Sequence, residues 1–410
     1  MTIKRLNILA LIAAGVIASA GAKTVSGLKA GGLSEAGIDP AETSLTIQGT
    51  MNAADFAYIL DKLPKLSYLD ISGVTIDAYN GAVLPYTGMS TSPASTLPDY
   101  SLTGLSELKT LKLPASLKKI GRGSLSGSGI TDLRVPDGVT TIGDYAAMRC
   151  ETLESVSIPG SVTEIGQRAF AYCPALTNVL LDASVTALPE GLFEACVGLS
   201  TLNLEALAHC EEIGPWALAE CDGLTALILP AGTRSIEKGA LYGAGSLDTL
   251  QLPADVEYLG DRAMANQSAL NVLNVSEVTN IPELGEGVWN TMDQSVVTLV
   301  TPDEHVGEYR SAEQWKEFNV VGNSEWKSST ENIAASVGSK HMDVSLDGDV
   351  LTVSCGVDGA LGTVSVYNAA GLQVATAAAG SHARQTFRVA GWPKGVYLVV
   401  SALGAAKVSI

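Results

Sequence analysis

The sequence predicts a mainly β fold, in which a solenoid of short repeats is followed by a small C-terminal β-sandwich. The first observation is the pattern L-x-x-L-x-L-P-x-x-V-x-x-I-G-x-x-A-F-x-x-C, which returns about every 23 residues from Leu108 onward. The second is the alternation of apolar and polar residues over 342–410, where turn residues separate short runs. The third is the composition, because 46% hydrophobic but only 5% aromatic residues predict an aliphatic core.

The charge of the chain excludes some classes of partner. Its formal net charge is −18 and its pI is about 4.6. A polyanionic surface repels phosphate backbones and anionic headgroups, so nucleic acid and acidic membranes are disfavoured as partners. The same charge is compatible with a secreted protein, with cation binding and with basic partners.

The first 22 residues have the pattern of a signal peptide. Lys4 and Arg5 form a basic head, residues 6–17 are almost entirely apolar, and residues 18–22 offer small side chains for cleavage. A membrane anchor is the alternative, but the apolar run is short for a bilayer span. We therefore expect a secreted or outer-membrane surface protein, with residues 1–22 excluded from the mature fold.

Residues 23–96 are predicted to form an N-terminal cap and the first repeat. The segment LSYLDIS at 66–72 has the apolar spacing of the later repeats, and LPDYSLTG at 97–104 supplies the matching second half. Between them, residues 73–96 are rich in Ser, Thr, Pro and Gly. This composition predicts a surface loop inserted into the first repeat.

Residues 97–323 are predicted to form the solenoid and its closing segment, with VVTLVTP at 296–302 as the last repeat. One unit alone cannot bury its apolar side, so neighbouring units must stack and their apolar positions must form internal columns. The leucine column is Leu108, Ile130, Leu153, Leu176, Leu199, Leu224, Leu247 and Leu270. The isoleucine column is Ile120, Ile142, Ile165, Leu188, Ile213, Ile236 and Leu259. One step has 25 residues and contains EALAHCEE, which we expect to bulge outward before the anchors resume at Ile213.

A cysteine column accompanies the repeats, and it consists of Ser128, Cys150, Cys173, Cys196, Cys221, Ala244 and Gln267. A position that accepts Ser, Cys and Ala is typical of small-residue packing, and free cysteine behaves as a small hydrophobe. Catalysis needs one activated thiol with a base, and zinc needs converging ligands, so both are disfavoured. Export through an oxidising compartment leaves disulfides open, although stacked side chains are spaced too widely for normal disulfide geometry.

The strand face of the solenoid is the predicted binding surface, because in L-x-x-L-x-L the leucines point inward and the intervening strand residues point outward. The outward residues predicted to bind a partner are Lys112, Arg134, Ser157, Asn178, Leu180, Asn203, Ile228, Gln251 and Asn274. A second outward row includes Asp132 and Ser155. Together the rows are basic at one end, neutral in the centre, and apolar at Leu180 and Ile228. The alternative is a sheet that is merely solvated.

The repeat resembles the BspA-type leucine-rich repeat family, most clearly at residues 153–173, and the resemblance extends over residues 97–302. Residues 44–72 and 306–323 also resemble the segments that begin and close such arrays. The resemblance implies a curved leucine-rich repeat solenoid of about 23-residue units. It also implies exposure at the cell surface and adhesion to proteins of a host or a neighbouring cell, including extracellular-matrix proteins.

The closing segment has Tyr309, Trp315 and Phe318 as its expected apolar anchors. Pro189 and Glu237 depart from the glycine that the repeat otherwise places after the isoleucine column. We expect these departures to produce local irregularity within the same fold.

Residues 324–341 lack periodicity and are predicted to be a linker. Residues 342–410 are predicted to form about six short strands of a β-sandwich, with turns at Asp347-Gly348 and Ala370-Gly371. This segment resembles the C-terminal sorting domain of the type IX (Por) secretion system, which implies outer-membrane export and attachment to the cell surface. The matching residues are Tyr367, Gly371, Pro393, Gly395, Tyr397 and Lys407. An ordinary adhesive sandwich is the alternative.

The sequence offers no catalytic constellation. The four histidines have no metal-ligand spacing, and His209-Cys210 lacks a third orienting group. Asp343, Asp347 and Asp349 alternate like part of a calcium loop, but a hairpin is the better interpretation. We therefore expect no enzyme activity, no cofactor and no bound metal.

The predicted function is adhesin-like binding of a protein partner, such as a host matrix or neighbouring-cell surface protein, through the strand face. The secretion machinery is a second expected partner, through the C-terminal domain. Glycan capture is an alternative, but it predicts aromatic platforms that the two strand rows lack. A structural spacer without a ligand is the other alternative.

Overall fold

The computed structural model describes residues 23–85, 88–326 and seven strand segments between 342 and 409. The chain divides between Ser324 and Glu325 into two compact units. The first unit contains the repeats as stacked coils of parallel strands, and the second contains antiparallel strands. The predicted mainly β solenoid is therefore confirmed.

The N-terminal cap combines three parallel strands with one α-helix. Its elements are the strands Lys23–Leu28, Ser44–Met51 and Tyr68–Ile76, the 3-10 helix Leu33–Glu35 and the α-helix Ala53–Lys62. The α-helix begins at a capping box, in which the Asn52 side chain accepts from Ala54 and the Asp55 carboxylate accepts from the Asn52 amide at 2.8 Å. The same buried carboxylate accepts from the amides of Gly31 and Leu33 at 2.7 and 2.8 Å. Asp55 thus caps the helix and ties it to the turn that follows the first strand, Lys23–Leu28.

The insertion in the first repeat differs from the predicted loop. The strand Tyr68–Ile76 continues into it, and the short strands Tyr79–Asn80 and Thr91–Ser92 then pair as an antiparallel hairpin. Leu84 is buried against Ala53 and Ala57 of the α-helix, so the insertion packs on the cap. Turn-rich composition cannot distinguish a free loop from a short hairpin that has a partner surface.

Each coil contributes one strand to a sheet that we call the front sheet. Its strands begin within the L-x-x-L-x-L part of the repeat. These strands are Thr110–Lys112, Asp132–Arg134, Ser155–Ile158, Asn178–Leu181, Thr201–Leu202, Ala226–Ile228, Thr249–Gln251, Val272–Asn274, Thr298–Thr301 and Asn319–Gly322. Within each uninterrupted group they pair in parallel with a one-coil register, so that Val156 lies opposite Val179 and Leu250 lies opposite Leu273. Thr110–Lys112 pairs with Tyr68–Ile76 of the cap, and the front sheet is interrupted between it and Asp132–Arg134. The last front strand shows that the closing segment adds a further strand beyond the predicted final repeat.

The second apolar stretch of each coil forms the rear sheet. Its strands are Thr96–Leu97, Lys119–Ile120, Thr141–Ile142, Glu164–Ile165, Ala187–Leu188, Glu212–Ile213, Ser235–Ile236, Tyr258–Leu259 and Glu283–Leu284. The sheet is interrupted between Glu164–Ile165 and Ala187–Leu188. Elsewhere the next residue donates to the preceding coil, as Gly166 does to the Ile142 carbonyl at 2.8 Å. Pro189 has no amide hydrogen to donate, which explains why the departure from glycine coincides with the interruption.

The apolar columns lie inside the coils as predicted. Leu153, Leu176 and Leu199 are fully buried, and every other member of the leucine and isoleucine columns is buried as well. They belong to one continuous core that runs from the N-terminal cap to the closing segment. The stacking that the repeat requires is therefore confirmed.

The 25-residue step does more than bulge outward. The anchors resume at buried Ile213, as predicted, but the front strand ends early at Leu202 and a 3-10 helix follows at Leu204–Ala206. Leu204 and Leu207 are buried, so part of the insertion enters the core. The front sheet is consequently interrupted between Thr201–Leu202 and Ala226–Ile228.

The closing segment covers the last coil with aromatic side chains. It begins with the α-helix Val306–Tyr309, and the 3-10 helices Gln294–Val296 and Asp303–His305 flank the last repeat before it. The ring centroid of Trp315 lies 5.1 Å from that of Trp289 and 5.2 Å from that of Tyr309. Tyr309, Trp315 and Phe318 are buried, which confirms the predicted anchors.

The second unit has two antiparallel sheets within its described segments. The strands are Met342–Asp347, Val350–Cys355, Val364–Tyr367, Gln373–Ala377, Arg384–Arg388, Val396–Ser401 and Gly404–Ser409. The pairing of Asp347 with Val350 supports the hairpin interpretation of this acidic stretch. In the described residues of both units, no helix is long and apolar enough to cross a bilayer.

Candidate functional site

The outer face of the front sheet brings the predicted binding residues together in two groups. Arg134, Ser157 and Leu180 lie opposite one another on three consecutive strands. Ile228, Gln251 and Asn274 do the same beyond the interruption of the sheet. Lys112, Arg134, Ile228 and Gln251 are exposed, and Ser157, Asn178, Leu180, Asn203 and Asn274 are partly exposed. Neighbouring strands place these side chains about 4.8 Å apart along the stack.

Lys112 is committed to a polar cluster at the N-terminal end of this face. Its Nζ lies 3.1 Å from Asp70 Oδ2 and 5.4 Å from the ring centroid of Tyr68. The hydrogen bond with Tyr68, followed by that with Asp70, raises the pKa of Lys112. Burial acts to raise the pKa of Asp70, but hydrogen bonds from Ser72 and Lys112 outweigh it and lower that pKa. The basic end of the face is therefore largely neutralised at Lys112.

Arg134 is the charged residue that this face offers to a partner. It is exposed, and it forms no ion pair with any residue in the described ranges. Ile228, at 64% exposure, is the main apolar residue of the same face. An exposed isoleucine next to polar neighbours is the kind of residue that gains free energy when a partner covers it.

Three residues of the predicted face behave differently from the prediction. Ser155 is buried, because its hydroxyl donates to Asp132 of the preceding coil. Asn203 accepts from the Leu181 amide at 2.8 Å, which replaces the strand hydrogen bond lost where the front strand ends early. Leu180, which lies beside this contact, is only partly exposed. Alternation along a strand predicts the direction of a side chain, but the neighbouring coil decides whether it is covered.

The cysteine column consists of free thiols among the described residues. Cys150, Cys173, Cys196 and Cys221 are buried and unpaired with any other sulfur, as is Cys210 of the insertion. Buried free cysteine, the small-residue packing predicted from the sequence, is therefore the state observed, and the disulfide alternative is not.

Each column thiol also donates a hydrogen bond to the coil before it, which the sequence analysis missed. The acceptor is always the backbone carbonyl of the residue at the phenylalanine position of the repeat. The Sγ–O distances are 3.1 Å from Cys150 to Leu125, 3.3 Å from Cys173 to Ala147, 3.1 Å from Cys196 to Phe170 and 3.2 Å from Cys221 to Phe193. Gln267 donates its amide to Leu241 in the same way. The column is therefore a donor position as well as a packing position, and the recurrence of Ser, Cys and Gln was its signal in the sequence.

The thiols lack the properties of a nucleophile or a metal ligand. Burial raises the pKa of Cys221 to about 12 and the pKa of Cys210 to about 11. The hydrogen bond with Cys173, together with burial, raises the pKa of Cys150. Thiolate is the reactive form, so these groups are held in their unreactive form at neutral pH. Within the described ranges no cluster of three or more His, Cys, Asp or Glu residues could hold a metal ion.

The rear turns, which follow each rear strand, carry a second surface that the sequence analysis missed. Three residues after the isoleucine column, the backbone adopts a left-handed conformation in every coil. Large side chains hold this position at Tyr100, Tyr145, Arg168, Trp216 and Arg262, and glycine holds it at Gly123, Gly191, Gly239 and Gly287. The recurrence of Tyr, Trp, Arg or Gly at this spacing, with Gly after most of the large residues, was the signal in the sequence.

This pattern has a steric reason. A Cβ added to Gly239 would lie 2.4 Å from two ring carbons of Trp216, and a Cβ added to Gly123 would lie 2.7 Å from the Tyr100 ring. The side chains of Tyr100, Arg168 and Trp216 therefore lie across the glycine backbone of the next coil, at Gly123, Gly191 and Gly239. Glycine at these positions meets two needs, because it also adopts the left-handed conformation without steric cost.

A depression of about 220 Å³ lies between these rear turns. Its lining residues are Arg168, Glu194, Trp216, Ala219, Glu220 and Tyr242. The Trp216 and Tyr242 rings meet edge to face, with centroids 5.7 Å apart. Arg168 forms ion pairs of 2.9 Å with both Glu190 and Glu194, and the Tyr172 hydroxyl donates to Glu194 at 2.7 Å. The hydrogen bond with Glu194 is the main cause that raises the pKa of Arg168 and the pKa of Tyr172.

Half of the six sorting-motif residues lie on described strands. Gly371, Pro393 and Gly395 lie outside the described residues, as do residues 1–22 and 327–341. Tyr367, Tyr397 and Lys407 lie on the strands Val364–Tyr367, Val396–Ser401 and Gly404–Ser409. Of these strands, Val396–Ser401 pairs with both of the others, and Leu398 lies opposite Lys407.

Comparison with known families gives a match to the BspA type leucine rich repeat region. The match comprises six copies over residues 89–200 and 199–299, which together cover just over half of the 410 residues. No curated protein matches the chain.

Similar solved structures are leucine-rich repeat proteins. One from Bacteroides ovatus has 20% identity and a TM-score of 0.44, over 64% of this chain and 65% of that chain. The pneumococcal vaccine antigen PcpA has 15% identity and a TM-score of 0.31, over 68% of this chain and 79% of that one. A leucine rich cell surface protein from Faecalibacterium prausnitzii has 19% identity and a TM-score of 0.28, over 58% and 74%. The chain thus spans just under two thirds of the Bacteroides ovatus protein.

Proposed function

The chain belongs to the BspA-type leucine-rich repeat family, and from that membership we propose that it is a non-enzymatic surface protein that binds a protein partner through its front sheet. The observation that carries the proposal is the outer face of this sheet, where Ile228 is 64% exposed among in-register polar neighbours. Stacked coils keep such a face rigid, so binding does not require the face to be ordered first.

The chemistry of the face favours a protein over the other partners. The two strand rows carry no aromatic side chain on which a sugar ring or a base would stack. The net charge of −18 disfavours polyanions. An exposed isoleucine, an arginine without an ion pair in the described residues and a series of amides suit the mixed apolar and polar surface of a protein.

The area of the face sets the expected affinity. Eight stacked coils spaced about 4.8 Å apart give a face roughly 40 Å long and roughly 10 Å wide. The resulting area of about 400 Å² is half of the roughly 800 Å² per partner that stable complexes bury. The partner is therefore expected either to cover the flanking turns as well or to bind transiently.

The test is a pull-down of the mature protein against matrix proteins, cell-surface proteins and glycans, repeated with a variant of the face. The variant combines Lys112→Gln, Arg134→Gln, Leu180→Thr and Ile228→Thr, which keep the strand propensity of the apolar positions. We expect it to lose the protein partner while its thermal unfolding stays close to that of the parent.

The matched control replaces exposed residues away from the front sheet. The control combines Lys119→Gln with Val197→Thr. Lys119 lies on a rear strand, and Val197 lies in a rear turn and is 44% exposed. This control should bind as the parent does. If the four-residue variant binds as well as the parent does, the front sheet is excluded as the binding surface. Capture of glycans alone would replace the proposal with glycan capture, and capture of nothing would favour the spacer.

We also infer that the chain is exported and held at the cell surface. Support comes from the signal-peptide pattern of residues 1–22 and from the sorting-domain motif between Tyr367 and Lys407. Proteolysis of intact cells and fractionation test this inference, with a chain that lacks residues 342–410 as the comparison. Full-length protein should be digested from outside, whereas the shortened chain should accumulate in the periplasm. Surface display of the shortened chain would show that the C-terminal unit does not direct sorting.

A further inference from the structure

The depression between the rear turns has a composition unlike that of the front sheet. It places two partly exposed aromatic rings, Trp216 and Tyr242, next to the ion pair of Arg168 with Glu194. Glu220 completes the lining and forms no ion pair with the residues that the structure describes. We propose that this depression binds a neutral hexopyranose ring, either as a free sugar or as one unit of a glycan.

The aromatic part of the depression suits the apolar face of a sugar ring. The Trp216 indole lies across the Gly239 backbone, where a Cβ would come within 2.4 Å of two ring carbons. That contact fixes the indole without using its whole surface, because Trp216 also lines the depression and is only partly buried. The Tyr242 ring meets it at 67° and closes one side of the depression. Ring C–H groups of a pyranose can lie against such a platform at low entropic cost, because the platform is already ordered.

The polar part suits hydroxyl groups, which both donate and accept hydrogen bonds. Arg168 contributes guanidinium donors, and Glu194 and Glu220 contribute carboxylate acceptors. Arg168 is held by Glu190 and Glu194 at 2.9 Å, and Tyr172 holds Glu194 at 2.7 Å. These groups are thus oriented before any ligand arrives, which limits the cost of ordering side chains on binding.

The charges of the lining disfavour an ionic ligand. Two carboxylates and one guanidinium line the depression, so an anion would be repelled by Glu194 and Glu220. A cation would be attracted by Glu220 but repelled by Arg168, whose charge is held in place by its ion pairs. A neutral ligand meets neither penalty and can use both kinds of polar group.

The size of the depression limits the ligand to about one ring. Its volume of about 220 Å³ is below the range of roughly 300–1,000 Å³ that is typical of sites for drug-sized ligands. A shallow contact with one sugar ring gives weak binding, and we expect millimolar affinity. This site is separate in the chain from the front strands, so the inference does not depend on the proposed protein partner.

The experiment is saturation-transfer NMR on the full chain with glucose, galactose, mannose, N-acetylglucosamine and their disaccharides at millimolar concentration. We expect transfer to the ring protons of at least one of them. Trp216→Ala should weaken that binding by about tenfold, because it removes the platform. Tyr242→Ala serves as a second variant, since it removes the other ring and leaves the contact with Gly239 intact.

The matched control is Tyr145→Ala. Tyr145 holds the equivalent left-handed position of another coil with φ 56°, is partly buried, and does not line the depression. Binding should be unchanged in this variant. The proposal is overturned if no neutral sugar shows transfer, or if Tyr145→Ala weakens binding as much as Trp216→Ala and Tyr242→Ala do.

Glu220→Gln and a charged probe separate a neutral ligand from a cationic one. Glu220→Gln keeps the shape of the side chain but replaces a charged acceptor with a neutral one, so sugar binding should weaken by about fivefold without being lost. Arginine amide should give no specific transfer. Tighter binding of arginine amide than of any sugar, abolished by Glu220→Gln, would assign the depression to a basic group and overturn the proposal. Transfer from disaccharides but not monosaccharides would identify a glycan unit as the source.

Discussion

Gly166→Ala tests directly how closely the coils stack. Gly166 follows Ile165 in a rear turn, and its amide donates to the Ile142 carbonyl of the preceding coil at 2.8 Å. A Cβ on Gly166 would lie 2.3 Å from the Asp144 amide nitrogen and 2.6 Å from the Gly143 carbonyl carbon. Both contacts are with backbone atoms, so no side-chain rotation can relieve them. The two coils must separate locally to admit a single methyl group.

The size of the effect follows from these distances. Non-bonded heavy atoms reach their optimal contact at about 3.5–4.0 Å, so the coils must move apart by about 1 Å. Overpacking of this kind costs about 1–3 kcal/mol, and weakening the hydrogen bond from Gly166 to Ile142 adds about 1 kcal/mol. We therefore expect the variant to lose about 2–4 kcal/mol of stability.

The assay is urea unfolding of the full chain, followed by far-ultraviolet circular dichroism. Midpoints are compared instead of extrapolated free energies, since long repeat arrays depart from two-state behaviour. Gly160→Ala in the same coil is the control, because its Cβ would meet only the Asp182 carbonyl oxygen at 3.4 Å. That change should be neutral or stabilise by about 0.4–1 kcal/mol. Equal midpoints for the two variants would refute the inferred close approach of the coils.

Four further predictions concern polar groups that form hydrogen bonds within the first unit. Asp55→Ala should lower the melting temperature clearly, with a loss of about 2–4 kcal/mol, because three backbone amides lose their acceptor; an unchanged melt would contradict this. Asn203→Ala should cost about 1 kcal/mol, and an unchanged melt would contradict this. Thiol titration should find Cys150, Cys173, Cys196, Cys210 and Cys221 unreactive in the native protein and free after unfolding. Because the folded pKa of Cys210 is raised from 9.0 to about 11, the stability that its protonated form contributes is present below pH 9 and lost as the pH rises towards 11. In melts recorded at several pH values, Cys210→Ala should lose less stability than the parent as the pH rises towards 11. An equally steep loss in the variant would show that another group causes it.

The buried half of the molecule could be predicted from the sequence. Leu153, Leu176 and Leu199 recur at a fixed period, and an aliphatic residue at a fixed period has no dry environment except that of its stacked neighbours. The closing anchors Trp315 and Phe318 could be identified for the same reason, since large apolar residues at the end of an array must cover its last coil.

The details of the coils could not be predicted in the same way. The insertion before Ile213 enters the core through Leu204, although the spacing alone indicated a bulge. The cysteine column was identified as packing, but its hydrogen bonds require the carbonyl of the preceding coil to lie within reach, as that of Leu125 does for Cys150. Such contacts join residues about one repeat apart, and no pattern within one repeat reports them.

The sequence by itself determined what lies inside this protein, because the hydrophobic effect acts on a periodic pattern whatever the details of each turn. Only the tertiary structure decided which outward side chains remain available. Ser155 and Asn203 are used by adjacent coils, whereas Ile228 stays exposed and Trp216 comes to lie beside Tyr242. The physical reason is that availability depends on the distance between atoms of neighbouring coils, which is set only when the coils stack.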